Sequence, residues 1–295
     1  MVLPSVMSDY LTTSELADLL RIKERKVYDL AASGTVPCTR ATGKLLFPRE
    51  AISAWLAEHH TGPETTGSLP AVILGSHDPL LDWAIRESRC GLAALFDSST
   101  DGLSRFADRQ GIATGLHLLD GKTGSWNRVA AGAYCAGMQA VLVGWAARQR
   151  GLILSEDAAG RITDIRSLAG RRVAARQPEA GAQGLLLHLL EQSGLSAADV
   201  EMSRPVRSEQ DAVLMVRDGK ADAALGLASL AGQHRLAFIP LVEERFDLLV
   251  DRRAWFDPPM QTLMAFCRQP EFATQARDLG GYDLAELGAV RLNGL

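Results

Sequence analysis

Apolar residues near the start of the chain repeat at helical spacing. The first apolar face consists of Leu16, Leu19 and Leu20. Thr12 and Glu15 stand just before it at the spacing of a capping box, which predicts a helix start. A second helix is predicted over residues 24–32, because Gly34 follows it as a helix stop. A third helix is predicted over about residues 49–57.

Two short extended runs between the second and third helices predict a small hairpin. The runs are VPCTR (36–40) and KLLFP (44–48), and the residues Ala-Thr-Gly join them. The order helix, turn, helix, wing, helix is typical of a unit that docks on nucleic acid. We therefore expect the second helix to enter the major groove and the wing to lie on the backbone or in the minor groove.

From Pro70 onward, extended apolar runs alternate with helical patterns. AVILGS, GLAALFDSS, RRVAARQ and ADAALGL are predicted strands, each next to a predicted helix. Such alternation implies an α/β fold with mostly parallel sheets. Residues 129–147 carry no charge, yet they are rich in Ala and Gly and include Gln139. This composition favours a buried core segment over a membrane span.

Polar residues gather where the predicted strands end. The three loops read Gly75-Ser76-His77-Asp78, Asp97-Ser98-Ser99-Thr100 and Arg176-Gln177-Pro178-Glu179-Ala180-Gly181-Ala182-Gln183. Ligands of open α/β sheets bind beyond the carboxyl ends of the strands, and helix N-termini present free N–H groups. We therefore expect an anion site here, with Arg176 adding a charge-assisted contact. The alternative is helix capping with no ligand.

Length and composition favour a folded chain of more than one domain. The chain has 295 residues, of which 47% are hydrophobic and 22% charged. TGPETTGSL, residues 61–69, has the composition of a linker and separates a winged helix-turn-helix domain at 1–60 from a second domain at 70–295. The N-terminal residues contain no secretion signal, so we expect a cytoplasmic protein without a membrane partner.

The cysteines and histidines give little support to a metal site. Cys38, Cys90, Cys135 and Cys267 form no C-x-x-C pair and have no nearby His at ligand spacing, so we expect reduced thiols, no metal and no cofactor. His59 and His60 are expected at the surface. His117 is expected to be packed in a strand near the cleft, with room for a ligand contact, and Asp222 to serve a turn or hinge.

Positive charge is concentrated in the first domain. The formal net charge of the chain is -4, yet seven basic residues and only two acidic ones lie between Arg21 and Arg49. Local basic character of this kind is expected where one face of a small domain meets phosphates. The predicted DNA-binding residues are Lys23, Arg25, Lys26, Tyr28, Arg40 and Lys44. The alternative is that these charges are only solvated.

The first domain resembles the excisionase-like branch of the MerR-type winged helices. The residues that carry the resemblance are LTTSELADLL, ERKVYDLAASGTVP and KLLFPREAISAWL. The resemblance implies operator DNA as a partner. It also implies a homodimer or higher homo-oligomer on paired half-sites, because one module of this size buries too little DNA surface to be selective alone.

The second domain resembles the type II periplasmic-binding-protein fold in a form fused behind a helix-turn-helix. The resembling pieces include ILGSHDPLLDWAIRES, ALFDSSTDGL, GRRVAARQ and ADAALGL. The resemblance implies two lobes and a small-molecule effector, with molybdate or tungstate as the oxyanions that relatives sense. By position, Ser76, His77, Ser98, Ser99 and Thr100 would line one lobe and face Arg176, Gln177 and Gln183 of the other.

One loop departs from the family pattern. Where the family often places Gly followed by Ser or Thr, this chain has Glu179, Ala180, Gly181 and Ala182. Ala182 lacks a hydroxyl, and Glu179 would repel an oxyanion if it pointed inward, so a different small organic ligand stays open.

The sequence thus predicts a ligand-responsive transcriptional regulator with no catalytic residues. His77 beside Asp78 and Ser76 would be the candidates for catalysis. However, adjacent side chains rarely converge on one point, and no G-x-S-x-G elbow, Walker loop or H-E-x-x-H motif occurs. The alternative from another class is an enzyme of cofactor metabolism whose first domain only binds a partner.

Overall fold

The computed structural model describes residues 10–40, 43–58 and 69–294. Part of the predicted wing tip, Ala41 and Thr42, lies outside the described residues, as do His59, His60 and the predicted linker up to residue 68. The chain divides into two compact units, Met1–Gly67 and Ser68–Leu295. Each unit is described separately below.

The first unit contains three helices, α1 (Thr13–Leu20), α2 (Glu24–Ala32) and α3 (Arg49–Glu58). Thr12 and Glu15 form the predicted capping box: the Thr12 amide donates to the Glu15 carboxylate over 2.8 Å, and the Glu15 amide donates to Thr12 Oγ1 over 3.3 Å. Beyond α2, Gly34 has a φ of 68°, in the left-handed region where glycine carries no steric penalty. Local chemistry thus sets both boundaries.

A small antiparallel sheet closes the first unit. β1 (Tyr10–Leu11) pairs with β2 (Phe47–Pro48), and a bridge joins Thr39 to Leu46 at the base of the predicted wing. The core consists of fully buried Leu16, Val27, Phe47 and Ile52. The prediction that Leu19 shares this core is wrong, because Leu19 is 52% exposed while Ala17 takes the buried position of that turn.

The second unit is an α/β structure. Its strands are β3 (Val72–Gly75), β4 (Ala93–Phe96), β5 (Ala113–Leu116), β6 (Ala140–Leu154), β7 (Arg172–Ala174), β8 (Glu201–Met202), β9 (Ala223–Leu227), β10 (Ala237–Asp251), β11 (Tyr282–Asp283) and β12 (Val290–Asn293). Its helices are α4 (Pro79–Ser88), α5 (Ser99–Ala107), α6 (Arg128–Tyr134), α7 (Gly181–Gln192), α8 (Glu209–Arg217), α9 (Ala228–His234), α10 (Pro258–Phe266) and α11 (Pro270–Leu279). The predicted α/β class is confirmed.

One sheet runs through two lobes in the order β4-β3-β5-β10-β6-β9-β7-β8. The first lobe contains the parallel strands β4, β3 and β5, and the second contains the parallel strands β8, β7 and β9. The long strands β6 and β10 pair antiparallel with each other and pass from one lobe to the other. Any movement of one lobe against the other must therefore bend this central pair.

Apolar side chains alternate between the two faces of the sheet. In the first lobe, Ile73 packs on the side of α4, α10 and α11, whereas Leu74 packs on the side of α5 and α6. In the second lobe, Leu152 faces α7 and Ile153 faces α8 and α9. Because consecutive strand residues point to opposite faces, both lobes have helices on both sides.

The uncharged segment 129–147 forms part of α6 and the first half of β6. The described part of the chain contains no helix that has both the length and the apolar character needed to cross a bilayer. β6 continues without a break from Ala140 to Leu154.

Close backbone contact fixes the end of β3 against α5. A Cβ on Gly102 would lie 2.3 Å from the Gly75 Cα atom, so only glycine fits at this position of the helix. Gly75 itself has a φ of 91°, which favours glycine. The loop that follows β3 and the N-terminus of α5 are thereby held side by side.

We expect Gly102→Ala to lower the free energy of unfolding by about 1–3 kcal/mol, because the added methyl group overpacks a backbone contact. Gly184→Ala is the matched control, since a Cβ on Gly184 of α7 meets nothing within 4 Å. That control should be neutral or stabilising by about 0.5–1 kcal/mol. Thermal unfolding of both variants measures the difference, and equal stability of the two would contradict the close packing.

Candidate functional site

A cavity of about 620 Å³ lies between the two lobes of the second unit. Its first-lobe wall consists of the loops that follow β3, β4 and β5, where Ser76, His77, Ser98 and His117 line the space. Its second-lobe wall contains Arg176 and the first residues of α7 and α8. The cavity thus lies at the carboxyl ends of parallel strands, the usual ligand position in α/β folds.

Hydroxyl groups and amides converge on the first-lobe wall. Ser98 Oγ caps α5 by accepting from the Asp101 amide over 3.1 Å. The Ser76 and Ser99 hydroxyls lie 2.8 Å apart, and the His117 amide donates to Ser99 Oγ over 3.1 Å. This network connects the ends of β3 and β5 with the start of α5.

Arg176 supplies the positive charge of the second-lobe wall. Its guanidinium donates to the carbonyl oxygens of Val206 (Nε, 3.2 Å) and Arg207 (Nη2, 2.7 Å). Burial lowers the pKa of Arg176, although nearby Glu209 favours the charged form. Among the described residues, no carboxylate lies within ion-pair distance of this guanidinium. Since arginine stays charged in proteins, the wall presents a cation that has no direct counterion in the described part of the chain.

Four of the predicted ligand residues line the cavity, namely Ser76, His77, Ser98 and Arg176. The structure places the other four beside it, where they support neighbouring groups. Ser99 is buried behind Ser76, and Gln183 Oε1 accepts from the Arg176 amide over 2.8 Å. Glu179 is exposed and does not line the cavity, so its carboxylate is not an obstacle to an anion.

Direct hydrogen bonds link the lobes at the rim of the cavity. Thr100 Oγ1 donates to the Glu179 carbonyl over 2.9 Å, and Gln177 Nε2 donates to Asp97 Oδ1 over 3.3 Å. Arg207 Nη2 adds a bond to Asp97 Oδ2 over 3.1 Å. Thr100 and Gln177, both predicted as ligand residues, thus hold the lobes together in this arrangement.

A ladder of buried charges lies where β6 and β10 cross between the lobes. Arg148 and Arg150 of β6 both bind Glu244 of β10, with Arg150 Nε 2.6 Å from Glu244 Oε2. Arg148 Nη1 also donates to Oδ2 of Asp78, the N-cap of α4 in the first lobe, over 2.8 Å. Arg150 Nη1 also donates to Oε1 of Glu209, the first residue of α8 in the second lobe, over 3.1 Å. The ladder therefore connects both lobes and reaches the cavity at Glu209.

The charged groups of this ladder are buried, so each of them needs an oppositely charged neighbour. Arg148, Arg150 and Glu244 are each at most 1% exposed. Burial alone would raise the pKa of Glu244, but the Arg148 and Arg150 guanidiniums more than offset it, so the pKa lies well below its usual value. Each buried charge thus depends on its neighbours for compensation.

His117 joins the ladder to the cavity wall. It follows β5, is 5% exposed, and lies with Nδ1 3.2 Å from Glu244 Oε2. Its ring packs against Gly181 at the start of α7, where a Cβ would come within 3.0 Å of it. Burial lowers the pKa of His117, although the nearby Glu244 carboxylate favours the charged form. The expectation that His117 is packed near the cleft is consistent with this position.

The sequence did not reveal Arg148, Arg150, Glu209 or Glu244 as site residues. Arg148 and Arg150 stand two apart in an apolar run, which places both side chains on one face of a strand. Two arginines on one face of an otherwise apolar strand indicate a buried carboxylate partner, and Glu244 in the extended run 237–251 is that partner.

We expect Glu244→Gln to lower the free energy of unfolding of the second unit by about 3–5 kcal/mol, because it removes the carboxylate shared by two buried guanidiniums. The matched control is Glu243→Gln on the same strand, whose side chain is 57% exposed and pairs with Arg245 at the surface. That control should cost at most about 1 kcal/mol. Urea denaturation of both variants measures the difference, and similar losses would contradict the role of the ladder.

The first unit presents a separate basic surface. All six predicted DNA-binding residues are exposed, with Arg25, Lys26 and Tyr28 on α2 and Lys23 at its N-cap. Arg40 and Lys44 flank the wing tip. Within the described ranges, none of these five cations has a carboxylate within 4 Å. The surface therefore offers positive charges that no ion pair among the described residues neutralises.

Comparison with protein families matches both units. A model of the PBP superfamily domain matches residues 83–268, and a model of a helix-turn-helix domain matches residues 10–60. The first match covers more than half of the chain, and the second covers the described helices α1 to α3.

Individual relatives agree with these matches. The uncharacterised protein YvgK of Bacillus subtilis (strain 168) is 23% identical over 301 residues, covering 95% of this chain and 97% of YvgK. PhnD1 from Prochlorococcus marinus, solved in complex with methylphosphonate, has a TM-score of 0.52 at 12% identity, covering 74% of this chain and 93% of PhnD1. The regulatory domain of MetR, a LysR family regulator from N. meningitidis, has a TM-score of 0.50 at 11% identity, covering 72% and 97%. At these identities the two structures show a shared fold.

Proposed function

The chain belongs to the PBP superfamily and carries an N-terminal helix-turn-helix domain, and from this premise we propose that it is a one-component transcriptional regulator. In this proposal the first unit binds operator DNA and the second binds a small anion. The protein acts in the cytoplasm as a homodimer, because one module of this size covers too little DNA to be selective. It has no catalytic role.

The basic surface of the first unit supports the DNA-binding half of the proposal. Arg25 and Lys26 lie in the first turn of α2, the helix that enters the major groove in this class of domain. Their charges are exposed and without ion-pair partners among the described residues, so phosphates can engage them without breaking an internal contact.

Arg176 carries the ligand-binding half. It is a cation in the cleft wall whose described partners are neutral oxygens, and hydroxyls of Ser76 and Ser98 line the same cavity. An anion that binds there gains a charge-assisted hydrogen bond. Molybdate and tungstate are the first candidates from the sequence resemblance. The fold accommodates a small anion in PhnD1, which was solved with methylphosphonate.

The two-lobed fold supports ligand-dependent control of DNA binding. A domain of this fold serves as the regulatory domain of MetR, a LysR family regulator. For control to occur, the ligand must bind one arrangement of the lobes better than the other, and DNA must discriminate between the same two arrangements. The rim contacts and the central strand pair are the parts of the second unit that such a change would alter.

We expect the double variant Arg25→Ala, Lys26→Ala to weaken DNA binding and to flatten its salt dependence. Each lost phosphate contact reduces the slope of log K against log salt concentration by about 0.9, so the slope should fall by up to about 1.8. Gel-shift titration at several salt concentrations, with a duplex selected from a random pool, measures it. Arg86→Ala, an exposed arginine of α4, is the control. An unchanged affinity would contradict the docking of α2.

We expect Arg176→Gln to abolish thermal stabilisation by the anion that stabilises the wild-type protein most, because glutamine keeps a polar end group but is shorter and carries no charge. DNA binding without the anion should survive. Arg172→Gln on the same strand region is the matched control, since Arg172 pairs with Asp222 at the surface and does not line the cavity. Equal anion responses of the two variants would place the anion elsewhere.

A further inference from the structure

The cavity is larger than an inorganic oxyanion. One water molecule takes about 30 Å³, so the cavity of about 620 Å³ has room for about 20 waters. An anion with four oxygens fills the space of about four of them. Cavities of this size are typical of organic ligands, for which the usual range is about 300–1,000 Å³.

Part of the cavity wall is apolar and uncovered. Leu95 and Phe96, at the end of β4, line the cavity, and the Leu95 residue is 49% exposed. The Phe96 ring meets the His77 ring edge-on at 5.6 Å between centroids, and both residues line the cavity. Ala180 and Ala182 add small apolar groups from the opposite lobe. A ligand that covers Leu95 removes apolar surface from water, which favours binding.

Arg176 presents a geometry suited to an acid group that offers two oxygens side by side. Its Nε and Nη2 donate to the carbonyl oxygens of Val206 and Arg207, and these bonds fix the orientation of the guanidinium. Nη1 has no hydrogen-bond partner in the described part of the chain, and Nη2 has a second hydrogen. The Nη1–Nη2 edge is one of the two sides of a guanidinium that can bind an acid group through two parallel bonds.

From these observations we infer that the ligand is a small organic acid. Its carboxylate or sulfonate binds Arg176 and the nearby hydroxyls, and its apolar body lies against Leu95 and Phe96. The inference rests on the proposed function, since it names the chemical class of the ligand in the same cavity. It makes Leu95 a specificity residue that selects organic acids over inorganic oxyanions.

The test is a thermal-shift and calorimetric comparison on the full-length protein with two panels. One panel contains molybdate, tungstate, sulfate and phosphate, and the other contains benzoate, phenylacetate, hexanoate and butanesulfonate. We expect at least one organic acid to have a lower Kd than every inorganic oxyanion. At a hundredfold excess over that Kd, the Tm should rise by about 5–10 °C.

Leu95→Ser and Leu187→Ser separate the apolar wall from general surface effects. Leu187, on α7, is 41% exposed and does not line the cavity, so it is the matched control for Leu95. We expect Leu95→Ser to weaken the organic acid about tenfold, which is the loss expected for most of one apolar side-chain contact, whereas Leu187→Ser leaves its Kd unchanged.

Several results would overturn the inference. They are a lower Kd for an inorganic oxyanion than for every organic acid, no response to either panel, and equal effects of the two leucine variants. A tight oxyanion with an intact effect on DNA binding leaves the proposed regulator in place with a different ligand class. By contrast, a stabilising ligand of either class that never alters DNA affinity counts against the proposed function itself.

Discussion

The buried contact between Arg148, Arg150 and Glu244 is the interaction on which the second unit depends. Two guanidiniums lie inside an apolar sheet, at the point where the strands pass from one lobe to the other. Each would be prohibitively costly there without a carboxylate, and Glu244 serves both. Asp78 and Glu209 then extend the ladder to a helix start in each lobe, so the charges connect the β6–β10 strand pair, both helix termini and the cavity wall in one network.

This network shapes the chemistry of the cavity. Glu209 and His117 line the space, but Arg150 pairs with the Glu209 carboxylate, and burial disfavours the charged form of the His117 imidazole. Asp101 pairs with Arg105, and Asp97 with Arg207. Arg176 is then the lining cation without a direct carboxylate partner in the described part of the chain. The charge of the cavity wall therefore favours an anionic ligand. The volume that remains and the exposed side chain of Leu95 favour a ligand that also has an apolar part.

Local signals predicted local structure well. The capping box of Thr12 and Glu15 and the stop at Gly34 set helix ends that the structure confirms, because such contacts involve residues close in sequence. The strand-end loops placed Ser76, Ser98 and Arg176 around one space, since parallel strands bring their carboxyl ends to one edge. The sequence did not predict the charge ladder, because Arg148 and Glu244 are 96 residues apart. In addition, two arginines that alternate with other residues along a strand are typical of its solvent-exposed face. The prediction for Leu19 was wrong because helical spacing places a residue on one side of a helix but does not show how much of that side the core covers.

In the proposed regulator, occupancy of the cavity and binding of DNA are thermodynamically linked. Reciprocal titration measures this linkage: the Kd for a selected operator is measured with and without saturating ligand, and the Kd for that ligand with and without saturating operator. Linkage requires that the two Kd values change by the same factor, and we expect a common factor of about 5–150. If a ligand binds the cavity and both factors equal one, the protein does not couple the two sites.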